Sequence, residues 1–140
     1  MSKDSRCHVR FYWESTDCAR SAALYEAVLG LSRLAEFKDH DGFSGVVLGF
    51  ENSDWQLEIV TVSAPRSQPA DEDTEKGIVL YLSAEEFRKV RRQVAVSGAQ
   101  TIVNKNPYWT RRGAITVRGY DGESIVIVRG PWNRDDSVAD

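Results

Sequence analysis

The sequence predicts an α+β fold made of two copies of a βαβββ unit, an internal repeat with an offset of 68 residues. The first observation is that a strand, a helix and three short strands follow one another twice along the chain. The second is that each predicted helix ends at a glycine, Gly30 and Gly98. The third is that a gapless shift by 68 residues also superimposes Ile59 on Ile127. A chain of 140 residues is long enough for two such units to share one core.

The elements of unit one, about residues 7–63, each have a local signal. Polar and apolar side chains alternate over residues 7–14, as they do in a strand with one buried face. Asp17 is a suitable N-cap for a helix that Gly30 ends. Three strand patterns follow, separated by the turn-forming segments Asp41-Gly42 and Asn52-Ser53-Asp54, near residues 33–38, 43–50 and 55–62.

An acidic segment over residues 64–76 is poor in apolar residues and therefore predicts a linker. Unit two, about residues 77–130, repeats the order of unit one, and a tail follows at 131–140. Ser83 and Glu86 have the spacing of a capping box at the start of a helix. Strand patterns lie at 77–82, 100–104, 113–118 and 124–129, with a hairpin turn at Asp121-Gly122.

Composition and charge exclude several classes of protein. The net charge of −3 gives no overall basic field, so a nucleic acid is not expected as a partner. No run of about 20 apolar residues could span a bilayer, so no membrane association is expected. Cys7 and Cys18 have no metal-binding spacing, and the chain begins without a signal-peptide pattern. We therefore expect a cytoplasmic protein.

The stretch from Ala22 to Leu31 after Asp17, together with the repeat, resembles the vicinal oxygen chelate superfamily. This superfamily includes glyoxalase I, bleomycin-resistance proteins and extradiol dioxygenases. A narrower similarity, to small uncharacterised bacterial members, rests on the segments from Phe37 to Phe43 and from Asn106 to Trp109, the second reading Asn-Pro-Tyr-Trp. The resemblance implies that residues 1–140 form a single domain, in which the two units make a curved sheet around a concave cleft. It also implies a homodimer.

The resemblance further implies where a metal would bind. In metal-dependent members the ligands come from the first and fourth strand of each unit and face the cleft. Carried onto this sequence by the helix starts and the 68-residue offset, these positions are Arg10, Glu58, Ile78 and Val126. A guanidinium keeps its proton and repels cations, and hydrocarbon side chains do not ligate. We therefore expect no metal and no cofactor.

Strand alternation predicts what the cleft offers instead. It turns four residues of each unit inward: Arg10, Tyr12, Gln56 and Glu58 in unit one, and Ile78, Leu80, Val126 and Val128 in unit two. One polar and one apolar wall are typical of a pocket for a small amphipathic molecule. The alternative is that Arg10 and Glu58 form an ion pair whose role is only structural.

Four further residues are candidate ligand contacts. His40 lies in a turn-rich stretch and has a side chain suited to proton transfer, although a solvent-exposed histidine is the commoner case there. Asn106, Tyr108 and Trp109 lie between two strand patterns of unit two. Large rings in such a place either cover the edge of the core or stack on a flat ligand.

Functions of two different classes fit these residues. The first is metal-independent binding of a small, partly aromatic or amphipathic molecule, a sequestration of the kind that gives antibiotic resistance in bleomycin-resistance proteins. The alternative is a metal-free lyase, isomerase or cyclase in which Glu58 acts as general base and Arg10 stabilises an oxyanion. A carboxylate beside an arginine is a weaker base, which favours binding. Metal-dependent glyoxalase or dioxygenase chemistry is disfavoured by the expected ligand positions.

Overall fold

The computed structural model describes residues 8–63 and 76–131 of the chain. The chain divides into two compact units, Met1–Ala70 and Asp71–Asp140. Apart from Lys76, the segment predicted as linker lies outside the described residues, and so does the tail beyond Pro131. Within the two described stretches, none of the helices has the length and apolar character needed to cross a bilayer.

Unit one is a four-stranded mixed sheet with one helix. Its elements are β1 (Val9–Glu14), α1 (Cys18–Leu29), β2 (Ser32–His40), β3 (Phe43–Gly49) and β4 (Trp55–Val62). The strand order is β1-β4-β3-β2. Strands β1 and β4 are parallel and the other neighbours are antiparallel. The predicted βαβββ order is therefore confirmed in this unit.

Unit two repeats the arrangement with one additional helix. Its elements are β5 (Gly77–Leu82), α2 (Ala84–Ser97), β6 (Thr101–Ile102), α3 (Pro107–Arg111), β7 (Ile115–Arg118) and β8 (Ser124–Arg129). The strand order β5-β8-β7-β6 corresponds element by element to that of unit one. The predicted α+β class and the repeat are confirmed.

Both long helices begin and end where the sequence predicts. The Asp17 side chain accepts a hydrogen bond from the backbone N–H of Arg20, and the Ser83 side chain accepts one from Glu86. These caps satisfy N–H groups that have no partner inside the helix. At the other ends, Gly30 and Gly98 adopt the left-handed conformation, with φ of 71° and 75°. Only glycine adopts this conformation without a steric cost from Cβ.

Helix α1 covers one face of the sheet in unit one. The rings of Trp13 and Tyr25 are in tilted contact, with centroids 6.0 Å apart. Tyr25, Leu57 and Ile59 are completely buried. Because side chains alternate along a strand, residues 10, 12, 56 and 58 lie on the opposite face. We call this surface, formed by Arg10, Tyr12, Gln56, Glu58 and their neighbours on β2 and β3, the open face of unit one.

The register of unit two overturns one prediction. In unit one Arg10 pairs with Gln56, whereas in unit two the residue that pairs with the equivalent Ser124 is Gly77. The position equivalent to Arg10 is therefore Gly77 and not Ile78. Ile78 and Leu80 pair with Ile125 and Ile127, on the face opposite to Val126 and Val128. Predicting that all four of Ile78, Leu80, Val126 and Val128 point the same way was wrong.

The physical reason is a one-residue change in spacing that the gapless offset conceals. The offset between the units is 67 residues at β5 and 68 residues at β8, as the two registers show. Helix α2 has 14 residues and α1 has 12. Ser83, the N-cap of α2, directly follows β5, whereas two residues separate β1 from Asp17, the N-cap of α1. Because side chains alternate with period two, an error of one residue exchanges the two faces of a strand.

Two local differences also concern candidate residues. Strand β2 extends to His40, so this histidine ends a strand and the turn that follows contains Asp41 and Gly42. The segment between β6 and β7, to which no element is assigned from the sequence, contains α3. Asn106 caps this helix and Pro107 is its first residue, a combination of residues that favours helix initiation. The same two residues also favour a turn, so the sequence alone does not predict α3.

We predict that Gly77→Ala destabilises the protein by about 3 kcal/mol or more, because the new Cβ would collide with the backbone carbonyl of Ser124 on β8. Val79→Ala is the matched control, since Val79 lies on the same strand, is 40% exposed and should cost less than about 1 kcal/mol. Urea unfolding curves measure both. Equal losses for the two variants would contradict this close approach of β5 and β8.

Candidate functional site

The open face of unit one carries a connected group of polar side chains centred on Arg10. Its Nε and Nη2 atoms donate to Oε1 of Gln56 at 3.0 and 2.7 Å. Its Nη1 atom donates to Oε1 of Glu58 at 3.1 Å, which makes an ion pair. The guanidinium thus bridges two consecutive same-face residues of β4. We call these three side chains the Arg10 cluster.

Strand pairing explains why the three side chains meet. Arg10 pairs with Gln56, and Tyr12, the next residue on the same face, pairs with Glu58. A long arginine side chain starting beside Gln56 reaches both the amide and the carboxylate. The ion pair predicted from the alternation pattern is therefore confirmed.

The cluster is open to solvent on one side because β1 is an edge strand. The side chain of Arg10 is 47% exposed and that of Glu58 is 21% exposed. Tyr12, which follows on the same face, is 76% exposed. An ion pair this accessible contributes little to stability, since water competes for both charges. Its main physical effect is to orient polar atoms.

Apolar side chains surround the cluster on the same face. Val47 pairs with Glu58 from β3, and both Val47 and Val60 are buried. Phe37 lies over Gly45, where a Cβ would collide with its ring, and Leu34 is exposed at 42% near Gly49. The open face therefore combines a few polar groups with a hydrocarbon floor, as ligand sites commonly do.

His40 does not join the Arg10 cluster by any contact. Its side chain is 78% exposed, and its Nε2 atom lies 3.5 Å from a carboxylate oxygen of Asp41. Its ring makes an edge contact with Phe37, with centroids 6.5 Å apart. The structure thus places His40 in the solvent-exposed situation that the sequence made the commoner case.

The remaining predicted residues belong to α3 in unit two. The side chain of Asn106 accepts a hydrogen bond from the N–H of Tyr108, so its carbonyl oxygen is used as a cap. The ring of Trp109 packs edge-on against Tyr108 and Tyr81, with centroid distances of 4.9 and 6.4 Å. The hydroxyl of Tyr108 accepts a hydrogen bond from Arg112. Tyr81, Tyr108 and Trp109 thus form an aromatic cluster. Tyr81 was not among the residues predicted from the sequence.

This aromatic cluster lies over the face of unit two that corresponds to the open face of unit one. Tyr81 pairs with Val128 on that face. Asn104 donates to the hydroxyl of Thr116, which pairs with Val126 on the same face. The two units thus differ at equivalent places: one carries the Arg10 cluster and the other carries hydrocarbon and aromatic side chains.

The residues at the family's metal-ligand positions do not fit a metal ion. With the corrected register these positions are Arg10, Glu58, Gly77 and Val126. Only Glu58 offers a ligand atom, and its Oε1 already accepts from a guanidinium. No side chain larger than hydrogen fits at Gly77 without displacing the backbone of Ser124. Among residues 8–63 and 76–131, no three His, Cys, Asp or Glu side chains are grouped to hold a metal.

Residues 15–60 match the YycE-like N-terminal domain family. The uncharacterised protein YycE of Bacillus subtilis is 29% identical over 104 residues, which cover 74% of each chain. The crystal structure of YycE superimposes with a TM-score of 0.76 and 25% identity, over 91% of this chain and 93% of the other.

Structures at lower identity have the same fold. The fosfomycin resistance protein FosX of Listeria monocytogenes has a TM-score of 0.64 at 11% identity over 99% of both chains. Glyoxalase I of Leishmania major has a TM-score of 0.63 at 18% identity over 89% of this chain and 87% of the other. The chain has the fold of the vicinal oxygen chelate superfamily. The resemblance stated from the sequence is confirmed.

Within this superfamily, the name of YycE groups it with glyoxalase and fosfomycin resistance proteins and assigns it no known function. The FosX structure was obtained with Mn(II) and a dihydroxypropylphosphonic acid. This chain has the vicinal oxygen chelate fold with a different set of side chains at the corresponding strand positions.

We predict a coupling energy of about 1 kcal/mol or less between Arg10 and Glu58 in a double-mutant cycle of Arg10→Met and Glu58→Gln. The reason is the exposure of both side chains. Urea unfolding of the two single variants and the double variant gives this energy. A coupling of 3 kcal/mol or more, the size expected of a buried pair, would show that the cluster is sealed from water.

We also predict that the purified protein holds no stoichiometric divalent metal. Zinc, nickel, manganese and iron should leave its melting temperature unchanged, because a bound metal would add its binding free energy to stability. Elemental analysis and thermal unfolding measure both. A stoichiometric metal that is lost in Glu58→Ala would overturn this prediction.

Proposed function

We propose that this protein binds a small organic molecule on the open face of unit one, without a metal ion, through the Arg10 cluster. The observation that carries the proposal is that Arg10 holds Gln56 and Glu58 by three hydrogen bonds while its own side chain remains 47% exposed. Polar groups that are oriented by one another and still reachable are suited to fix the direction of a ligand.

The surroundings of the cluster support an amphipathic ligand. Val47 and Val60 are already buried in the floor of this face, so the apolar surface open to a ligand comes from Leu34 and the ring of Tyr12, which are exposed at 42% and 76%. A ligand with one polar end and one hydrocarbon part would bury apolar area against these side chains while its polar end meets the cluster.

The proposed role is binding by sequestration, of the kind that protects cells from an antibiotic or natural product. The likeness to proteins named fosfomycin resistance protein and glyoxalase I supports a role that involves a small molecule. We further propose that the protein works as a homodimer in the cytoplasm. Tyr108 and Trp109 remain candidate contacts to a flat ligand, and His40 and Asn106 are weaker ones because of their exposure and capping role.

The test is a thermal-shift screen of aromatic antibiotics and central metabolites, followed by calorimetric titration of each hit. A ligand at a hundredfold excess over its Kd stabilises the protein by about 2.7 kcal/mol, which a melting curve detects readily. We expect hits that do not require added metal.

Arg33 provides the matched control for Arg10, because the two arginines lie on opposite faces of the same sheet. Arg33 also forms ion pairs, with Glu26 and Glu36, but it lies on the α1 side. Arg10→Met should weaken binding of a hit at least about tenfold, and Arg33→Met should leave it unchanged. Equal affinities of both variants would place the site elsewhere. If the protein instead consumes a hit, and if the Glu58→Gln variant no longer does so, the enzymatic alternative replaces the binding function.

A further inference from the structure

The hydrogen-bond donors and acceptors left over in the Arg10 cluster define the head group that it fits. A guanidinium has five N–H donors, and Arg10 uses three of them on Gln56 and Glu58. Two donors therefore remain on a half-exposed side chain. They point to a ligand atom that accepts hydrogen bonds and carries negative charge.

Gln56 adds donors of the same kind. Its Oε1 atom accepts both bonds from Arg10, which fixes the orientation of the side-chain amide. Its Nε2 atom, with two N–H donors, has no hydrogen-bond partner among the described residues. Arg10 and Gln56 together thus have four N–H donors without a partner among the described residues, and such a surplus of donors suits an oxyanion such as a carboxylate.

Glu58 supplies the opposite chemistry one strand position away. Its Oε1 atom is occupied by Arg10, while Oε2 has no partner among the described residues. This oxygen can accept a bond from a hydroxyl or an ammonium group. The Nη1 atom of Arg10 and the Oε1 atom of Glu58 are 3.1 Å apart. A ligand that binds to both side chains therefore needs its hydrogen-bond donor close to its oxyanion.

Resting on the proposed function, we infer that the Arg10 cluster recognises a carboxylate with a hydrogen-bond donor on the adjacent carbon, the head group of 2-amino acids and 2-hydroxy acids. The carboxylate accepts from Arg10 and Gln56, and the hydroxyl or ammonium donates to Glu58. The hydrocarbon part of the ligand lies toward the exposed side chains of Leu34 and Tyr12. The two charges of the cluster match those of a zwitterionic 2-amino acid, whereas a 2-hydroxy acid brings a carboxylate and a neutral donor.

The experiment is a matched series of ligands with isobutyl and benzyl tails, titrated by calorimetry into the full-length protein. The series contains leucine and phenylalanine, their 2-hydroxy acid analogues, the primary amides of all four, and the acids without the donor, 4-methylpentanoate and 3-phenylpropionate. We expect the amides to bind about ten- to a hundredfold more weakly than the acids, because they lose charge-assisted bonds to Arg10. The acids without the donor should bind several-fold more weakly than the 2-amino acids and 2-hydroxy acids.

Variants of the protein test which side chain binds the carboxylate and which binds the donor of the ligand. They also distinguish an ammonium donor from a hydroxyl donor. Glu58→Gln keeps the size of the side chain and removes its charge, so it should weaken 2-amino acids at least about tenfold and 2-hydroxy acids only a few-fold. Arg10→Met should weaken every acid of the series, and Arg33→Met none of them.

The outcomes distinguish this inference from the function on which it rests. Amides that bind as tightly as the acids would overturn the inference. It would also be overturned if no ligand of the series binds while other small molecules bind and depend on Arg10. In both cases the binding function survives. Acids that bind equally to Arg10→Met and Arg33→Met would overturn the location of the site and both proposals. The absence of any small-molecule ligand in the screen would overturn the proposed function and this inference with it.

Discussion

The register of β1 against β4 is the constraint on which the candidate site depends. Arg10 lies beside Gln56 and Tyr12 beside Glu58 because two parallel strands pair at these positions. A slip of one residue would bring Phe11 to the open face and turn the arginine toward α1. Trp13 opposes that slip, because its ring contacts Tyr25 of α1 and would leave the helix side of the sheet. The core of unit one thus fixes the geometry of its polar face.

Unit one could be predicted from its sequence because independent signals agree there. The alternation of β1, the cap at Asp17 and the end of the helix at Gly30 are local, and each is decided by a side chain or by its absence. Alternation placed Arg10, Gln56 and Glu58 on one face, and an ion pair of Arg10 with Glu58 was one of the alternatives that it left open. What the sequence did not contain was the accessibility of the cluster, which depends on β1 being an edge of its sheet.

Unit two was predicted less well because two changes of spacing compensate each other. A longer α2 and a shorter connection before it leave Gly98 at the expected offset while they shift β5 by one residue. A gapless comparison matches the glycines and conceals the shift. Helix α3 was missed for another reason, since Asn106 and Pro107 favour a turn and a helix start equally well when few residues follow.

The corrected register changes the physical meaning of the asymmetry between the units. With Ile78 at the position of Arg10, unit two would present a hydrocarbon that a single substitution could replace with a ligand such as histidine. With Gly77 there, a side chain meets the backbone of Ser124, so a donor at this position also requires the strands to move apart. Val79 and Val126 stand where unit one has Tyr12 and Glu58. Gly77 and Val126 therefore offer no ligand atom at the two family positions of unit two, and backbone packing at Gly77 as well as side-chain chemistry at Val126 makes this unit differ from unit one.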